Sequence, residues 1–153
     1  MATLPTLIAQ SDLEERFTAL TVQRYADDAT GAGIAANVAT ALGEASDVLR
    51  SILGPAYSEE QVVALVADDR AVRGAACDIA MALLGRRRAE FRNADGSTPY
   101  AMERRDAERT LERIAKRERR PGGEASAGAN QTAIGVDTNR PATALIFQGS
   151  RDN

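Results

Sequence analysis

Helical periodicity runs along this chain as far as Arg120 and then stops. Beyond it comes RPGGEASAGAN, rich in the residues that end helices, followed by two short apolar islands. These are TAIGV (residues 132–136) and TALIF (residues 143–147). Each island has the length and composition of a β-strand, but two isolated strands are marginal in water. Ile134, Val136, Leu145, Ile146 and Phe147 supply most of the apolar mass of the C-terminal segment. Burying them does not offset the entropy of ordering so long a segment. We therefore expect residues 1–120 to form a helical body and residues 121–153 a linker and arm. The arm should become ordered on the surface of another chain, through those five side chains.

The rest of the composition narrows the chemistry. A length of 153 residues fits one domain. No apolar run is long enough to span a membrane, and the opening MATLPTLIAQ lacks the pattern of a signal peptide. The chain has one cysteine, Cys77, and no histidine or tryptophan. Histidine is the commonest acid–base group and metal ligand, and zinc sites of the finger or ribbon type need more than one cysteine. The pair Asp27-Asp28 before Gly31 and Gly33 lacks the alternating ligands and late glutamate of a calcium loop, so it reads as an acidic loop. No phosphate-binding or dinucleotide fingerprint is present. We expect no catalysis, no cofactor and no metal.

Charge is uneven. Residues 1–70 hold eleven acids against four arginines, a balance of −7. Residues 71–120 hold thirteen basic residues against eight acids, a balance of +5. Such a chain could stack head to tail or sit between unlike surfaces, or the charges could simply cover exposed helix faces.

Along the body, Ser11 and Glu14 have capping-box spacing and predict a short helix to about residue 20. Residues 21–33 read as a loop. Ile34, Val38, Leu42, Ala45, Leu49 and Ile52 recur at three and four residues, predicting a helix over 34–53 that Gly54-Pro55 stops. Ser58 and Gln61 form a second capping box, and Asp68 is placed to cap the next helix. That helix, about 69–91, is apolar or small through AACDIAMALL, so it should be central, with Cys77 as a small core residue. Asp78 could face solvent, a neighbour or an arginine. Arg86, Arg87 and Arg88 end the helix where cations suit its dipole. After a turn-rich loop, a charged helix over about 100–119 carries a thin seam of Met102, Ala107, Leu111 and Ile114. The predicted fold is all-α: a small bundle of four to five helices with an extended C-terminal arm containing short β-prone segments.

Taken in order, these blocks resemble the phage head–tail connector proteins of the Mu-like neck family, also called adaptor or head-completion proteins. The resemblance runs through SDLEERF, the polar loop TVQRYADDATGAG, the long helix IAANVATALGEASDVLRSIL with Tyr57 after it, and VRGAACDIAMALLGRRR (residues 72–88). It ends with the charged helix and covers residues 6–116. It implies a virion neck protein, assembled in the host cytoplasm, that forms a homo-oligomeric ring, typically a dodecamer, beneath the portal protein. Such a ring extends the DNA channel and presents a platform to the stopper or tail-completion protein. DNA is then cargo only, and no membrane is involved. The resemblance also implies that the C-terminal segment reaches the portal, although here it is longer and richer in glycine than the family pattern. Arg86, Arg87 and Arg88 would bond an acidic neighbouring subunit or face the channel. The competing reading is a small helical DNA-associated regulatory protein.

Overall fold

A computed structural model describes residues 4–28, 31–87 and 89–117. Among them every regular element is helical. In chain order these are α1 (Gln10–Phe17), α2 (Ala19–Ala26), α3 (Ile34–Leu53), α4 (Glu59–Asp68), α5 (Arg70–Arg86) and α6 (Ala101–Ala115), with a 3-10 turn at Ala89–Phe91. Ile134, Val136, Leu145, Ile146 and Phe147, the expected arm contacts, lie outside the described residues.

Helix α5 is the axis. Val72, Ala75, Ala76, Cys77, Ile79, Ala80, Met81, Leu83 and Leu84 are buried around its whole circumference. Every other helix packs against it. Its small residues let neighbours come close. At Gly85 a methyl group would stand 3.2 Å from both Cβ and the carbonyl oxygen of Pro99, so this glycine admits the loop leading to α6. The central position expected for α5, and the core role of Cys77, are therefore found.

Helix α3 follows the predicted stripe, burying Val38, Leu42, Ala45, Leu49 and Leu53. It ends at the residue before Gly54-Pro55, where proline has no N–H to continue the ladder. The Ser58–Gln61 box forms as expected: Ser58 N–H donates to Gln61 Oε1 at 2.9 Å, and Gln61 N–H donates to Ser58 Oγ at 3.4 Å. Ser46, buried in α3, accepts from the Leu7 N–H (2.9 Å) and donates to the Leu42 carbonyl (2.7 Å). Arg50 donates to the Pro5 carbonyl (2.6 Å), so both α3 side chains hold the segment before α1.

Four expectations need correction. Residues 21–33 are not all loop, because α2 occupies Ala19–Ala26 and raises the count of α-helices among the described residues to six. It buries Val22 and Ala26, and the Asn37 side chain donates to the Ala26 carbonyl at 2.8 Å. Ser11 is not the first cap. Helix α1 starts at Gln10, and the Asp12 carboxylate accepts from the Ala9 N–H (2.8 Å). Asp69, not Asp68, caps α5; it is 4% exposed and accepts from Ala71 (2.7 Å) and Val72 (3.3 Å). Met102 is not in the seam of α6, being 70% exposed. The buried residues are Ala107, Leu111 and Ile114. Met102 lies five positions before Ala107, about 140° around the helix from it.

Candidate functional site

Three kinds of feature could carry function: the grooves, the helix ends and the outer helix faces. The largest polar contact in the grooves joins α1 to α5. Arg16 Nε donates to Asp78 Oδ1 and Arg16 Nη2 donates to Asp78 Oδ2, both at 2.7 Å. This bidentate pair answers the question the sequence left open about Asp78. Its hydrogen bond to Asp78 holds the Arg16 guanidinium above the ordinary arginine pKa. Gly74, one turn before Asp78, leaves room for the guanidinium; a methyl group there would stand 3.0 Å from Nη1.

Two open grooves flank this pair. One, of about 380 Å³, is lined by Arg16, Gly74, Asp78, Glu103, Asp106 and Thr110. The other, of about 350 Å³, includes Asp12, Glu15, Asp68, Arg70, Arg73 and Cys77. Each mixes both charge signs, and the best-placed carboxylate is already committed to Arg16. Cys77 is 2% exposed, and burial, then the nearby Asp12 carboxylate, pushes its thiol up to about 11. The thiolate needed for nucleophilic chemistry is therefore suppressed near neutral pH. Among the described residues no group of three or more metal-binding side chains converges. No helix among them is long and apolar enough to cross a membrane.

Aromatic rings close the end of the body where α1, α2 and the loop before α6 meet. Phe17 stands edge-on to Tyr100 at 5.3 Å, Tyr100 to Tyr25 at 5.5 Å, and Tyr25 meets Phe91 at 4.8 Å. Tyr100 itself adopts a left-handed conformation (φ 59°) as it starts α6. Burial raises its phenol pKa, with the Tyr25 ring beside it contributing. These rings are half-buried and engaged with one another, so they make a joint rather than an open stacking platform.

Of the predicted arginine cluster, Arg86 and Arg87 are exposed at the end of α5. They line a small groove of about 140 Å³ with Thr40, Ala41 and Glu44 of α3. Arg88 lies outside the described residues. The structure thus brings Arg86 and Arg87 to one rim.

The outer faces hold what residue-by-residue reading missed. On α6, Arg105, Arg109, Arg113 and Lys116 are all exposed and recur on the side opposite Ala107, Leu111 and Ile114. Of these four, only Arg109 is in an ion pair among the described residues, a 3.6 Å contact with Asp106. The stronger pair of α6, Arg104–Glu108 at 2.7 Å, sits toward the flank. On α4, Glu60, Ala64 and Asp68 are exposed along one line, beside Val63 at 46% exposure. Arg50, between α3 and α4, bonds Glu59 (2.8 Å) and approaches Asp47 (3.5 Å). The signal for the α6 row was the spacing Arg105–Arg109–Arg113, hidden by the acids between them. Compared with protein families, with characterised proteins and with solved structures, the chain matches none.

Proposed function

We propose that this protein is a structural component of a virion neck, an adaptor joining the portal to the stopper or tail and extending the DNA channel. The observation that carries the reading is the place of the block VRGAACDIAMALLGRRR. Residues 72–86 of that block lie in α5, the axis on which all the other helices pack. The resemblance thus rests on the element that organises the body, and its other helical blocks fall on α1, α3 and α6 in the family's order.

In this reading copies of the body form a ring. The C-terminal arm, through Ile134, Val136, Leu145, Ile146 and Phe147, engages the portal, and another surface meets the next neck protein. Arg86, Arg87 and Arg88 contact a neighbouring subunit or the channel. The protein has no catalytic role and no cofactor. Binding energy comes from repetition, since a modest contact made by every subunit of a ring is multiplied by avidity.

The test is removal of residues 122–153. Helicity by circular dichroism should stay nearly unchanged while binding to the portal is lost. Negative-stain images of the full chain mixed with portal should show a ring on the portal face. Loss of helicity on truncation, or discrete particles that never join, would overturn the reading. The cationic row of α6 favours one second reading, a small DNA-associated regulator. That reading requires the isolated monomer to bind short duplexes with an affinity that falls steeply as salt rises.

A further inference from the structure

We infer that the cationic row of α6 is an interface for the acidic face of α4 on a second copy of this chain. The inference gives residues to the self-association part of the neck reading, but it rests on the placement of charge and not on the resemblance. Arg105 and Arg113 are eight residues apart on an outward helix face, about 12 Å along the axis. Glu60 and Asp68 are also eight residues apart on an outward helix face, so their separation is the same, about 12 Å. Set antiparallel or parallel, the two rows bring each acid opposite a cation, with Arg109 facing the Ala64 position between them. Apolar surface accompanies both rows: Met102 is 70% exposed beside the cations and Val63 is 46% exposed beside the acids.

These rows do not neutralise each other within one molecule. Helices α4 and α6 each pack on α3 and α5, and both rows point away from that shared core. Arg105, Arg113, Lys116, Glu60 and Asp68 have no ion-pair partner among the described residues. Made in one direction only, such a contact is heterologous, and its repetition either closes a ring or continues as a filament. Nucleic acid would also suit the cations. It leaves the matching acidic row of α4 unexplained.

The experiment uses the full chain in sedimentation velocity at about 50 mM and about 500 mM salt, across which surface ion pairs are progressively screened. One variant reverses the paired cations (Arg105→Glu with Arg113→Glu) and another reverses the acids (Glu60→Arg with Asp68→Arg). The wild type should associate at low salt and dissociate at high salt. Each variant alone should lose about tenfold or more in association constant, since like charges then face each other. An equimolar mixture of the two variants, and the chain carrying all four changes, should associate again, which also shows that the variants are folded. Association of the wild type that neither reversal weakens would place the contact elsewhere and sink this inference while leaving self-association standing. A wild type that stays monomeric at low salt, yet binds a short duplex through Arg105 and Arg113, would overturn it in favour of nucleic acid. Portal binding, measured separately by truncation, bears on the neck reading and not on this interface.

Discussion

Helices α5 and α6 are close in length and neighbours in sequence, yet they solve opposite problems. Of the 17 residues of α5, eleven are buried, whereas of the 15 residues of α6 only Ala107, Leu111 and Ile114 are. The first is held by contact on all sides; the second rests on a single seam and leaves most of its remaining surface in solvent. The difference teaches where variation is tolerated: α5 specifies the body, and α6 can change its outer chemistry with little effect on folding.

The sharpest way to break that comparison is to hollow out the axis. Ile79 is fully buried, and Ile79→Ala should cost about 3–4 kcal/mol in urea unfolding, from lost transfer energy plus a cavity. A loss below about 1 kcal/mol would show that α5 is not the organising element. Next in size is the pH response of Cys77. Its thiol titrates near 11 in the folded chain against 9.0 as the ordinary value. The folded state therefore retains this proton more strongly. Its stabilising contribution is complete below about pH 9 and is lost as pH rises toward about 11, by about 2–3 kcal/mol. The unfolding midpoint should fall across that window for wild type and change less for Cys77→Ala; an equal pH dependence in both would show that the thiol is solvated.

The joint between α1 and α2 gives a smaller effect of opposite sign. Thr18 holds φ 68° and ψ 145°, a conformation that suits glycine and strains a β-branched residue. Its hydroxyl accepts from the Thr21 N–H at 3.4 Å and shares a 3.1 Å hydrogen bond with the Thr21 hydroxyl, both of them exposed and replaceable by water. Thr18→Gly should raise stability by about 0.5–1 kcal/mol, after allowing for the larger entropy of glycine in the unfolded chain. A lower melting temperature would mean that the hydroxyl matters more than the backbone. Smallest of all, Arg113→Ala on the outer face of α6 should shift stability of the isolated subunit by less than about 0.5 kcal/mol. A larger loss would mean that this arginine packs on its own body.

The sequence was most readable where one period ran unbroken. The stripe of α3, the Ser58–Gln61 box and the apolar run of α5 are each local patterns, and each is where the residues placed it. Legibility failed at single-residue joints. Thr18 turns the chain by itself, with no glycine or proline to announce it, so α2 read as loop. Asp68 and Asp69 are chemically alike, and only the direction of approach selects the second as cap. Met102 was drawn into the seam by its hydrophobicity although its helical phase points outward. The partner of Asp78 is Arg16, 62 residues earlier, which no local window contains. For the candidate surface, the charge imbalance between the two halves of the chain was visible. Its arrangement as one row on α4 and another on α6 appeared only when the buried seams fixed which way each helix faces.

The crowding around α5 has one more consequence. Ala75, Ala76, Ala80, Ala82 and Gly85 have no side-chain torsions to freeze, so seating them in the middle of the molecule forfeits almost no rotamer freedom. A spindle built this way has few ways to rearrange, and it should keep its shape under load while the longer side chains at its rim adjust.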